Sequence, residues 1–87
     1  MTGEIMIIKV LAIRDRALDA YMRPFFMASI GAAVRGFQDE INRDESEMKK
    51  HPDDYDLFWL GDWDDHTGKF TTLEMPEQVA IGKQLIK

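Results

Sequence analysis

The acidic run Asp62-x-Asp64-Asp65-His66-x-Gly68 is the stretch best equipped by residue type to do chemistry. Clustered carboxylates can hold calcium or magnesium when backbone carbonyls complete the oxygen shell. The spacing falls short of a calcium loop, because the glycine is misplaced and the distal glutamate is absent. The run therefore predicts solvated carboxylates that keep an aromatic hairpin soluble, and no metal. Hydrolysis by paired carboxylates needs two acids fixed across a cleft, and nothing in the sequence fixes them. His51 and His66 have no serine or threonine motif linked to them and read as exposed turn residues. Gly31 and Gly36 precede no phosphate-binding lysine. With no cysteine in the chain, thiolate nucleophiles, disulfides and cysteine-held zinc are excluded. The reading is a nonenzymatic protein without a cofactor.

Binding chemistry is better represented. The five arginines, Arg14, Arg16, Arg23, Arg35 and Arg43, all lie in the first half, while Asp53, Asp54, Asp56, Asp62, Asp64 and Asp65 crowd the second. A net charge of −5 excludes an indiscriminate nucleic-acid coat, which needs a broad basic footprint, but leaves room for a local face. Arg23, Arg35 and Arg43 are the candidate phosphate contacts. Tyr21, Phe25, Phe26 or a tryptophan could stack on unpaired bases. Phe37 and Trp59 read as core. Phe58 and Trp63 are candidate interface residues, because a small two-layer domain cannot cover both faces of its sheet. A homodimer would enlarge so small a core.

The elements that must position these groups follow from periodicity. Ile5 to Ile13 is apolar on both faces and predicts a central strand, or an edge strand used in a dimer. Asp15 to Ala20 is a polar connection, and Met22 to Met27 an extended segment whose aromatic residues cover the core, with Pro24 against helix. Ser29 can cap a helix over Ile30–Asn42, with Ile30, Ala33, Val34, Phe37 and Ile41 as its apolar stripe. Gly31 and Gly36 would let that helix approach a sheet. Tyr55 to Trp63 predicts a second strand, with Tyr55, Leu57, Trp59 and Trp63 on one face and Phe58 and Leu60 on the other. Gly68 suits a bulged hairpin turn. Lys69 to Met75 returns as a third strand that Pro76 ends, and Glu77 to Ile86 is either a short terminal helix or extended. The expected fold is α+β: one β-α-β-β domain over residues 1–87, its three-stranded sheet covered on one face by a helix. The amino-terminal apolar run is too short for a secretory signal, and no stretch approaches the ~20 apolar residues that cross a bilayer.

Met22-Arg23-Pro24-Phe25-Phe26, Ala33-Val34-Arg35-Gly36-Phe37-x-Asp39-Glu40-Ile41-Asn42-Arg43, His51-Pro52-Asp53-Asp54-Tyr55-Asp56-Leu57 and Leu60-Gly61-Asp62-Trp63-Asp64-Asp65-x-Thr67-Gly68 follow the early strand Ile7 to Arg14. In order, spacing and chain length this series resembles the small nonstructural protein of gokushoviruses, single-stranded DNA phages of the microvirus group. The likeness covers most of positions 7–75. It implies a soluble protein of the host bacterial cytoplasm, made during infection and absent from the mature capsid. It also implies a DNA-binding role that diverts replication from duplex circles to packaged single strands, with single-stranded DNA and a phage or host replication protein as partners. The likeness supplies no catalytic residue.

Overall fold

The computed structural model of the chain describes residues 6–87; the predicted strand start at Ile5 lies outside them. The long strand β1 (Ile7–Asp15) is followed by two short ones, β2 (Ala20–Tyr21) and β3 (Phe25–Met27). Helix α1 (Ile30–Asn42) and the single turn α2 (Glu47–Lys50) come next. Strands β4 (Tyr55–Asp64) and β5 (Phe70–Ile81) form a hairpin, and α3 (Gly82–Leu85) ends the chain. The strands make one antiparallel sheet in the order β2-β1-β4-β5, with β3 also paired to β1.

This corrects the expected three-stranded sheet with one covering helix. The observed sheet has five strands and curls into a half-barrel, with three helices among the described residues. The two added strands are two and three residues long, too short to carry a periodic signal, and exist by pairing with the free edge of β1. The turn between β1 and β2 is held by Asp15, whose Oδ1 accepts from the backbone N–H groups of Ala17 and Leu18.

The core lies between α1 and one face of the sheet. Ala33, Phe37 and Ile41 pack on Leu11 of β1 and Leu57 of β4, with Met48 of α2 closing one end. The Ser29 hydroxyl caps α1 by accepting from the Ala32 N–H at 3.1 Å. Asn42 at its last turn donates to the Leu85 carbonyl and accepts from the Lys87 N–H, tying the chain end to the helix. Gly31 and Gly36 are exposed, and a Cβ at Gly36 would meet nothing within 4 Å. They therefore do not serve the helix-to-sheet approach expected of them.

Three irregularities shape the sheet, one of them the extra residue Val79 of β5 between the pairs Leu57–Ala80 and Phe58–Gln78. Val10 pairs with Gly61 but Leu11 pairs with Trp59, so Leu60 is an extra residue in β4. The Trp59 indole N–H donates to the Gly61 carbonyl at 2.8 Å, bracing the chain across this bulge. On β5, the four residues Leu73–Pro76 lie opposite Leu60 alone, between the pairs Gly61–Thr72 and Trp59–Glu77. Pro76 thus sits inside β5 and does not end it. A proline has no N–H to give a ladder, and an edge-strand bulge is where the loss is harmless.

Candidate functional site

The bulge at Leu60 decides which side chains share the open face. Alternation alone puts Trp63 with Leu57 and Trp59, toward the helix. One extra residue inverts the alternation beyond it. Trp63 pairs with Ile8 and Phe58 with Ala12, and Ile8 and Ala12 lie on the side of β1 away from α1. Phe58 and Trp63, predicted on opposite faces, therefore stand on the same helix-free face.

Other rings join them there. Phe26 pairs with Val10, Tyr21 with Arg14, and Phe70 with Trp63. The Phe26 centroid lies 5.9 Å from that of Trp63 and 6.1 Å from that of Phe70, and Trp63 lies 6.4 Å from Phe70. A second group sits further along the sheet, where Tyr21 meets Phe58 edge-on at 5.5 Å and the Arg14 guanidinium lies over Tyr21. Phe58 and Trp63 are five residues apart on β4, roughly 16 Å of strand. Tyr21, Phe26 and Phe70 remain 41%, 49% and 57% exposed, an unusual share for large apolar rings. Beside Phe70 a shallow depression of about 120 Å³ is lined by Val10, Pro24, Leu60, Gly61 and Thr72.

The charge on this face is sparse and well defined. Arg14 pairs with Asp19 in the β1–β2 turn. Asp56, which pairs with Arg14 in register, is only 2% exposed and is neutralised by Arg16, with its other oxygen accepting from the Gly82 N–H. Gln78, Thr72 and Ile81 complete the register positions on this side of β5. The acids that make the chain net negative are mostly elsewhere.

The acidic hairpin has structural work throughout. Asp62 accepts from Lys9 Nζ at 3.1 Å and from the Trp59 indole at 3.2 Å, while Lys9 also lies 4.9 Å over the Trp59 ring. Asp64 accepts from the N–H groups of His66 and Thr67 and so builds the turn. Asp65 accepts from the Met6 N–H at 2.9 Å. No group of three or more potential ligands able to hold a metal ion occurs among the described residues.

The three candidate arginines fall on separate elements. Arg23 is exposed in the loop between β2 and β3, next to the aromatic face in sequence, and makes no ion pair among the described residues. Arg35 lies on α1 and Arg43 is the extended residue that caps its C-terminal end, eight residues further on and about 12 Å away along the axis, on the opposite layer. Arg43 is engaged by Glu40 through two hydrogen bonds, which hold the Glu40 carboxyl below its ordinary 4.5. Lys49 lowers Asp44 in the same way. Burial raises the Tyr55 phenol above its ordinary 10.0, and the carboxylates of Asp15, Glu47 and Asp54 add to the rise.

A family model described as Phage ORF5 protein matches residues 8–85. The chain belongs to that family. The match spans every strand that carries an aromatic-face ring, from Ile8 to Ile81. No curated protein and no solved structure matches the chain. No helix of the described residues is long and apolar enough to cross a membrane. Of the open face, the sequence already marked Tyr21, Phe26, Phe58 and Trp63. It missed Phe70, whose only signal was its place as the first strand residue after the turn, and it missed the position of Arg14 over Tyr21.

Proposed function

We propose that this phage protein is a nonenzymatic accessory in single-stranded DNA phage replication or packaging, and that it holds single-stranded DNA on its aromatic sheet face. The observation that carries the reading is the exposure of Phe26 and Phe70 around Trp63, and of Tyr21 beside Phe58, on a face whose one in-register carboxylate is buried. Every base has a π-face, so stacked rings bind single strands without choosing sequence, at about 1–3 kcal/mol per base. A duplex hides those faces and gains nothing from the platform. Arg23 is the cation placed to meet phosphates, with Arg14 a second once it gives up Asp19, whereas Arg35 and Arg43 sit on the helix layer and would contact only a strand that wraps around the domain. A salt dependence of about −1.4 in log K against log salt follows from two contacts on a single strand.

The test is fluorescence anisotropy with short single- and double-stranded DNA over a salt series. Micromolar binding of single strands, weakened at least fivefold by Phe70→Ala and Tyr21→Ala, supports the reading. Equal binding to duplex, or no binding at low salt, refutes it. The same exposed phenylalanines also favour a homodimer closed through Phe58 and Trp63, acting as an interaction module for a phage or host replication factor. Sedimentation across a concentration series separates the two, because a dimer on this face competes with DNA.

A further inference from the structure

A second recess lies on the helix side of the sheet, between the β1–β2 turn, the end of α1 and α2. It encloses about 380 Å³, and its walls include the apolar side chains of Leu18, Met22, Met48 and Tyr55. Leu18 is 75% exposed and Met22 45% exposed, although neither is on the aromatic face. Leu18 is not a loose loop residue: its N–H is fixed by Asp15 Oδ1, which sets the turn that carries it. The rim is acidic, with Glu45 and Glu47 beside Asp15. Its one cation, Arg43, is already taken by Glu40. Glu45 has no ion pair among the described residues, and Glu47 has only an exposed 3.4 Å contact with Lys50.

The chemistry selects the occupant. Nucleic acid would be repelled by the rim. A neutral apolar segment would cover the recess but strip water from carboxylates without replacing it. A segment carrying a lysine or arginine beside an apolar residue satisfies both parts, with its aliphatic stem on the methionines and its cation at the carboxylates. We infer that this recess is a docking site for a basic, apolar segment of a partner protein. It lies across the sheet from the aromatic face, so a protein partner and a ligand on that face can bind together. The inference stands apart from the DNA reading, since none of its residues is on that face. The raised pKa of the Tyr55 phenol agrees with a negative, partly dehydrated recess.

The experiment uses the full chain labelled with ¹⁵N and a capped peptide of alternating arginine and leucine as probe. A peptide of alternating arginine and serine is the control. Docking shifts the amide resonances of Leu18, Met22, Glu47 and Tyr55. Leu18→Ser and Met22→Ser, both at exposed positions, each weaken binding at least fivefold, and Glu45→Gln with Glu47→Gln weakens it further. Equal binding of the serine control shows charge attraction alone and overturns the proposal. So does an absence of shifts at millimolar peptide, or a set of shifts centred on Trp63 and Phe70.

Discussion

Three glycine-to-alanine substitutions have three different outcomes, and their order tests the sheet geometry that creates the aromatic face. At Gly61 a Cβ would lie 2.7 Å from the Thr72 Cα and closer still to the Thr71 carbonyl oxygen. Comfortable contact is roughly 3.5 Å, so one strand must move by about 1 Å. The obstacles are backbone atoms and no rotamer change relieves them. The pairs Gly61–Thr72, Asp62–Thr71 and Trp63–Phe70 must open or slip. Overpacking of this kind costs about 3 kcal/mol. A chain of this length has about 4–13 kcal/mol in all. At about 4–8 °C per kcal/mol, Gly61→Ala should lower Tm by about 12–24 °C and alter the Trp63 emission. At Gly68 a Cβ meets nothing, but the backbone holds φ at 76°, so alanine costs about 1–2 kcal/mol. At Gly36, exposed inside α1 with open space around it, alanine raises stability by about 0.5–1 kcal/mol. Thermal melts followed by circular dichroism and tryptophan emission read all three. A Gly61→Ala protein that is folded and melts within about 4 °C of the parent would refute the close β4–β5 approach.

Four further outcomes follow. Arg16→Ala leaves the buried Asp56 carboxylate with the Gly82 N–H as its remaining side-chain contact, and Arg16 itself is half exposed, so water offsets part of the loss. The expected cost is about 2 kcal/mol, with a double-mutant cycle against Asp56→Ala in urea showing coupling of at least about 1 kcal/mol; additive effects would contradict the pair. Tyr55→Phe should flatten the alkaline limb of stability: a phenol raised on folding contributes fully below its ordinary 10.0 and loses that contribution as pH climbs through the folded value, so the wild-type lead over the variant shrinks above about pH 10. Glu40→Gln acts at the acid end, because a carboxyl lowered by Arg43 contributes above 4.5 and loses its effect as pH falls through the folded value; the pair is largely exposed, so the difference in urea stability at neutral pH stays under about 1 kcal/mol. Phe70→Ala removes an exposed ring and should change Tm by no more than about 8 °C while reducing single-strand affinity at least fivefold, a split that differential scanning fluorimetry and anisotropy together measure.

What was readable in the sequence was what local spacing encodes. The stripe Ile30, Ala33, Val34, Phe37, Ile41 repeats at helical steps behind a serine cap, and α1 occupies those residues. The turn at Asp64–Gly68 was marked by residue type, and the β4–β5 hairpin closes there with the Asp64 N–H donating to the Lys69 carbonyl. What was hidden depends on partners distant in sequence. β2 and β3 are strands only because β1 offers an unpaired edge. The Asp56–Arg16 pair joins residues forty positions apart, and nothing near either one announces it.

The bulge at Leu60 is the most consequential of these hidden features. A strict two-residue alternation through Tyr55–Trp63 turns Trp63 toward the helix and leaves Phe58 without an aromatic partner further along β4. One unpaired residue reverses the strand beyond it, and its signal in the sequence is only a glycine inside an apolar run. The approach of β5 leaves no room for a Cβ at Gly61, whose backbone also lines the depression beside Phe70. Trp59 holds the arrangement from the opposite face by donating its indole N–H to the Gly61 carbonyl. The aromatic face is therefore a property of the bulge as much as of the rings.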